Sequence, residues 1–426
     1  MNSSLKPYVY HTKVVSDGDF SLCARRRNEF VSLITRPKLS HSTANYLILI
    51  TVIVVAGISQ GLLLPVLSIF LEQKGVSPGL NGLNAAALYI GSFAMTLVAE
   101  RLLGALGFKK LIVCGLILVM VPLILFPYLP DIKIWFILRL VVGIGDSALH
   151  YAAQLWVLLV TAPEKRGRYI SLYGMSYGLG FSIGPLGIKL LGFGDAVPFW
   201  VLFVCIAAVL LLVLMKLPDT KPEKAEHGHL PERRFRRSLA WAWYALLPAL
   251  LYGYMEAGMN SNFPVYGLRI GFDTNQISSL LPFIGIGGLF LQLPLGMLSD
   301  RYGRKKVLMF AGISGGIIFM LVPVAGTHFW WTLVLLTIAG GLVGSFFSLG
   351  LAYAADILPK MLLPAANVVA SFHFTIGSII GPNLGGQMIN WISPGSMFTL
   401  LGIMYLLFGA AGILFRRKPE FESVLK

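Results

Sequence analysis

The sequence predicts an all-α membrane protein of twelve transmembrane helices arranged as two pseudo-symmetric six-helix bundles. Three observations lead there: a composition too apolar for a water-soluble chain, a series of apolar runs of helix length, and motifs that repeat once at a nearly constant offset. Of 426 residues, 56% are apolar and only 12% are charged, and the mean hydropathy is +0.76. An ordinary soluble domain carries about 25% charged residues. Long apolar runs occupy most of the chain, and a helix needs ~20 such residues to cross a bilayer, whereas a barrel strand needs only ~9–11 in alternation. The expected spans are therefore helices.

Bounded by Gly, Pro and charge clusters, the candidate spans lie near 44–71, 81–105, 109–129, 132–160, 168–191, 197–216, 240–267, 275–299, 306–325, 328–356, 364–391 and 396–415. An even number of spans places both termini on one side. Of 34 Lys and Arg, twenty-nine fall on that side, in the first 43 residues, the second-to-third connection, 165–168, 216–239, 301–306, Lys360 and the last residues. Lys74, Lys133, Arg139, Lys189 and Arg269 fall on the far side or within spans. The positive-inside rule makes the basic side cytoplasmic, in a cell (plasma or inner) membrane. The net charge of +15 is thus mostly topology. Nucleic acid is not an expected partner, because the basic clusters sit in short inter-span connections without interleaved aromatics.

The only long polar stretch after the first 43 residues is PDTKPEKAEHGHLPERRFRR, which reads as a solvated linker. The predicted organisation is a cytoplasmic tail (1–43, lacking the apolar stretch of a signal peptide), a first bundle (44–217), a linker (218–239), a second bundle (240–417) and a short tail (418–426). His227 and His229 in the linker read as solvated residues rather than a metal site. Cys23, Cys114 and Cys205 show no paired spacing, so neither a disulfide framework nor a thiolate site is expected. No metal or cofactor is expected, and no Walker loop, nucleophile motif or HExxH points to an enzyme. GIGDSA, from Gly143, fits a dinucleotide fingerprint but lacks the preceding strand that such a site needs.

Span five carries GFSIGPLG (Gly180, Gly184, Pro185) and span eleven GSIIGPNLGG (Gly377, Gly381, Pro382), 197 residues apart. After span two comes AERLLGALGFKK, with Glu100 and Arg101; after span eight comes SDRYGRKK. The chain therefore reads as a duplicated half. GMLSDRYGRKK, with Gly296, Asp300, Arg301, Gly303 and Arg304, resembles the signature loop of the major facilitator superfamily. The resemblance extends over all twelve spans. It implies alternating access of a small solute to a site between two bundles, near the midplane, and a lock of helix ends at this loop. The first copy departs from the pattern, with Glu100 for Asp, Phe108 for Arg and four inserted residues. Physically, Asp300 is able to accept from free amides at a neighbouring helix start. Arg301 and Arg304 are expected to pair with Asp356, and Arg101 with Glu164. Alternatively, these charges only anchor loops among headgroups. The glycine-proline segments resemble the fifth-span motif of proton-coupled drug exporters, although close helix packing explains the same residues.

A charge at a helix centre costs ~2.5–3.5 kcal/mol on insertion scales, so intramembrane charges are functional candidates. In span four, Arg139, Asp146 and His150 lie within about 20° of one stripe at 100° per residue, which excludes a lipid-facing placement. LRLVVGIG resembles the fourth-span Arg motif of proton-coupled exporters, which implies a role for Arg139 in proton handling; a structural pair with a carboxylate is the plainer reading. Span seven supplies Glu256, with Tyr252, Asn260 and Phe263 on its face. Span one offers Gln60, where many drug exporters keep an acid. His373 in span eleven and Tyr169, Tyr173 and Tyr177 in span five complete the candidate cavity. The leading expectation is a proton-coupled antiporter that exports amphipathic or cationic small molecules, monomeric in the bilayer, with protons and solute as partners. The alternative is a sugar or organic-acid symporter on the same fold; a receptor or membrane enzyme is the remote third.

Overall fold

Inside a bilayer every backbone N–H and C=O must find its partner within the protein, which leaves helices as the structure for runs of this length. The computed structural model describes residues 43–129, 131–161, 166–221 and 234–415. They form helices Thr43–Gln73 (span one), Pro78–Leu106 (two), Phe108–Leu125 (three), Ile132–Val160 (four), Arg166–Ile183 (five), Val197–Lys216 (six), Arg234–Ile270 (seven), Thr274–Tyr302 (eight), Arg304–Leu321 (nine), Leu363–Trp391 (eleven) and Ser396–Leu414 (twelve). Span ten consists of two helices, Phe329–Val343 and Phe346–Ile357. No strand occurs among the described residues. Nine of the described helices are long and apolar enough to cross a membrane by length and composition. Spans four, five and seven, which carry the polar candidates, lie outside that group.

The ends of the helices follow from local chemistry. Asp131 accepts from the amides of Lys133 and Ile134 at 2.8 and 3.1 Å and starts span four. Asp273 and Gln276 cap span eight reciprocally, at 2.7 and 3.0 Å. The turns after spans two and eight pivot on Gly107 (φ 85°) and Gly303 (φ 94°), in the left-handed region that favours glycine. From those turns Lys109 donates to Leu214 O at 2.8 Å and Lys305 to Phe415 O at 2.7 Å. Each lysine thereby satisfies a free carbonyl at the end of the sixth or twelfth span.

Three elements differ from the sequence reading. Span seven begins at Arg234, inside the stretch assigned to the linker, and its first turns are set off by a kink at Ala242 (φ −124°, ψ 24°). The basic segment is thus partly helical, because its Phe235 and Leu239 give it an apolar component that a solvated linker lacks. Span five passes into a 3₁₀ segment, Gly184–Phe193, at Pro185. Span eleven keeps its α-helix through Pro382. Span ten breaks at Gly344–Ser345. His227, His229, Cys23 and Glu164 lie outside the described residues.

The repeat is visible in the packing. A Cβ on Gly180 would strike Val54 O, and one on Gly377 would strike Leu250 O. Gly57 abuts the backbone of Tyr177 and Phe181, and Gly253 that of Phe374. Gly91 abuts Leu140 and Ile144, and Gly287 abuts Thr337 and Gly341. These matches fix the structural offset at 196 residues for spans one and seven, and at 197 for spans four and ten.

The halves meet at the end away from the basic loops. Gly82 lies against the backbone of Pro382, Gly386 against Pro78, and Ser278 Oγ donates to Pro185 O at 2.8 Å. Spans five and eight run antiparallel and separate toward the basic end. Gly285 touches Ser182; one turn on, a Cβ at Gly178 would stand 4.0 Å from Leu289; at Gly174 and Gly296 nothing lies within 4 Å. The central space therefore opens toward the basic loops.

Candidate functional site

Span four places Asp146 where spans one and five cross it. The carboxylate is buried, and Gln60 of span one donates its amide to Oδ2. Tyr177 of span five donates to Gln60 Oε1 at 3.0 Å. One turn along span four, His150 Nε2 stands 3.8 Å from Asp146 Oδ1. His150 Nδ1 meets the Tyr173 hydroxyl at 3.1 Å, and the His150 ring lies edge-on to Tyr177, with centroids 4.9 Å apart. A carboxylate, an amide, an imidazole and two phenols are thus joined across three helices. Such a set holds a proton at a defined atom and offers hydrogen-bonding neighbours to pass it to.

Glu256 stands on the other half. Tyr252 stands beside it, one turn earlier in span seven. Asn260 donates to the Glu256 backbone oxygen at 2.8 Å, so its amide serves the helix rather than the carboxylate. Phe263, placed on this face by spacing, is instead fully buried among Tyr266 and Phe398 of the second bundle; the wide apolar core of span seven captures it. Tyr177 lies within electrostatic range of both Asp146 and Glu256, so the two acids border one central region.

By the structural offsets, Gln60 and Glu256 occupy equivalent positions. Asp146 is matched by Val343, Arg139 by Leu336 and His150 by Phe347. Each half therefore carries one mid-depth carboxylate, on a different span.

Arg139 shares the Asp146 stripe but ends elsewhere. Its side chain is 1% exposed, lines an apolar pocket with Leu63, Leu64, Leu67, Leu88, Phe126 and Val142, and its three guanidinium nitrogens have no hydrogen-bond partner among the described residues. The carboxylate pair considered from the sequence does not form among the described residues. Tyr89 of span two, 6% exposed, lies within electrostatic range of Arg139, Asp146 and Glu256. The sequence reading missed it, since a lone tyrosine in an alanine-rich helix carries no pattern. His373 Nδ1 meets Leu246 O at 3.2 Å, which ties span eleven to span seven. Tyr169 offers its backbone oxygen to the Tyr46 hydroxyl at 3.2 Å.

At the basic end, Arg304 bridges Asp356 at 2.8 Å and Asp300 at 3.2 Å. Arg301 instead lies over the Tyr302 ring, 5.5 Å from its centroid. Asp300 is largely exposed and pairs with Arg304, one turn on, rather than with the helix amides expected for it. Arg101 and Glu100 are exposed at the end of span two and form no ion pair among the described residues.

Known proteins share this architecture. Residues 49–291 and 271–426 match the family model of the Major Facilitator Superfamily. The chain is 38% identical to an uncharacterized MFS-type transporter, YfkF, of Bacillus subtilis (strain 168), covering 84% of this chain and 92% of the relative. It is 25% identical to Multidrug resistance protein 2 of the same organism, covering 81% and 88%. Among solved structures, the nucleoside transporter NupG superposes with a TM-score of 0.70 at 14% identity, over 87% of this chain and 98% of that one. A bacterial homolog of the human lysosomal transporter Spinster, in an inward-facing and unoccupied conformation, gives 0.65 at 16%, over 88% and 96%. With the family model spanning both bundles and a relative of this identity along most of the chain, the protein belongs to the major facilitator superfamily of multi-pass membrane transporters.

Proposed function

We propose that this transporter is a proton-coupled antiporter that exports amphipathic or cationic small molecules by alternating access. The observation that carries the reading is the pair of mid-depth carboxylates, Asp146 bound to Gln60 and Glu256 beside Tyr252, one in each half around a shared central space. A carboxylate carries either a proton or a negative charge that attracts cations, so binding of a proton and of a cationic solute compete for the same group. Competition of that kind is what exchange requires. The aromatic lining from Tyr177, Tyr173, Tyr252 and Phe374 suits an apolar, flat or quaternary cation. Export is supported by the resemblance of span five to the exporter motif and by the name of the multidrug-resistance relative.

In this reading the basic loops and both termini face the cytoplasm of a cell membrane, the two six-span bundles are the moving bodies, and one monomer suffices. The space between spans five and eight is then the solute's entrance from the cytoplasm. Bringing Gly174 toward Leu293 would close it, and Arg304, Asp300 and Asp356 sit at the rim that must meet. The test is uptake of ethidium into inverted proteoliposomes with an imposed pH gradient, acid inside. Gradient-dependent accumulation, with matched proton efflux, supports the reading. Gradient-independent equilibration, or accumulation of a sugar or organic acid instead, contradicts it.

A further inference from the structure

Spans one and seven end at the far side with a charge each, Glu72 and Arg269. Arg269 Nε donates to Glu72 Oε1 at 2.7 Å, with the Glu72 side chain 13% exposed and Arg269 35%. The residues are 197 apart, within one position of the structural offset of these spans, so they sit at matching places in the two halves. A pair at matching places lies astride the axis that relates the bundles. Duplicated halves would put like charges there; this chain has an acid on one side and a base on the other.

The other ion pairs among the described residues stay within a half: Lys110–Asp219, His150–Asp146, Arg304–Asp300 and Arg304–Asp356. Three other far-end charges are engaged locally. Lys74 lies over the Trp135 ring at 5.0 Å, and Asp131 and Asp273 cap helices. Around the pair, the glycine-to-backbone contacts of Gly82 with Pro382 and Gly386 with Pro78 bring the halves to van der Waals distance. A bridge this short between bodies that must part cannot persist through a transport cycle.

We infer that the Glu72–Arg269 pair is the far-side lock: it holds the halves together while the basic end is open, and breaks when the far end opens. This rests on the alternating-access part of the proposed function, and on neither the solute nor the proton. Spin labels at Tyr128→Cys and Trp330→Cys, exposed residues on opposite halves at this end, in a background with the three native cysteines replaced by Ser, report the separation. Glu72→Gln and Arg269→Gln should each raise the far-end-open fraction by about two- to fivefold, the shift expected from losing one partly exposed ion pair. The double reversal Glu72→Arg with Arg269→Glu should return the distance distribution to that of the parent, while each single reversal opens the end further. Parent-like distances in both Gln variants would overturn the lock, as would a double reversal no better than its singles. Thermal melts of the Gln variants identify any that fail to fold, and the double reversal decides the matter in that case. Distances are read without transport, so a failed lock leaves ethidium exchange intact, whereas failed exchange with shifted distances leaves the lock standing.

Discussion

The first and second bundles share a scaffold and differ in chemistry. In both, a glycine of the fifth or eleventh span presses on the backbone of the first or seventh, Gly180 on Val54 and Gly377 on Leu250. In both, a left-handed glycine turns the chain and a following lysine caps the last span of the bundle. At mid-depth the likeness ends. Span four has Arg139, Asp146 and His150 where span ten has Leu336, Val343 and Phe347, and span one has Gln60 where span seven has Glu256. The halves share the contacts that let each bundle fold. The polar groups diverged, so each half holds its acid on a different span. An exchanger gains from that asymmetry, since two acids in unlike surroundings need not release their protons together.

Neutralising the first-half acid should have the largest effect. Asp146→Asn is expected to lower the gradient-driven accumulation ratio by about tenfold or more, within the usual range of coupling between two ligands. Downhill counterflow should stay near that of the parent. The neighbouring Ser147→Ala should leave both unchanged. Glu256→Gln should lose coupling similarly, or lose cation binding outright if this acid is the counter-charge; equilibrium binding of ethidium separates the two. Coupling lost at one acid and unchanged at the other would contradict an account in which each half carries its own.

The shared scaffold makes the next prediction. Gly180→Ala and Gly377→Ala should each destabilise by about 1–3 kcal/mol, because the added carbon meets fixed backbone on a neighbouring helix. Gly174→Ala and Gly296→Ala, facing open space, should be neutral or stabilise by up to about 1 kcal/mol. Melting temperatures in detergent compare the four. A large difference between Gly180 and Gly377 would break the equivalence of the bundles.

Arg139 sharpens the contrast from another direction. A buried guanidinium without a partner costs stability, so Arg139→Leu, the residue at the equivalent second-half position, should raise stability by about 2 kcal/mol. It should also weaken gradient-driven exchange while sparing binding. Lower stability would mean that the guanidinium is satisfied. The smallest effect is expected at the rim: Asp300→Asn removes one of two partners of Arg304 within the second half and should lower stability by less than about 1 kcal/mol. A small shift of the melting temperature in detergent would read it.

The spans, their number and the repeat were legible because apolar run length and glycine-proline spacing are local properties. The packing of Gly180 and Gly377 was legible for the same reason. The stripe of Arg139, Asp146 and His150 was legible as helical geometry, but its outcome was not: the neighbours of Asp146 and Arg139 are set by spans one, two, three and five, 86 residues away in the case of Gln60. Phe263 shows the limit of face assignment in a helix buried on several sides. The Glu72–Arg269 bridge had a usable signal that went unread, since its separation equals the offset of the repeated motif. The break in span ten was foreshadowed only by Gly344 beside Ser345, a pair common enough in membrane helices to pass as packing.

The central claim is that one carboxylate in each half carries the coupling. It is tested most directly by the double variant Asp146→Asn, Glu256→Gln in proteoliposomes under an imposed pH gradient, with ethidium and proton fluxes followed together. The account predicts that the variant equilibrates ethidium without concentrating it and moves no protons with it, while its melting temperature stays at or above that of the parent. A variant that concentrates ethidium as the parent does, with proton flux intact, would contradict it.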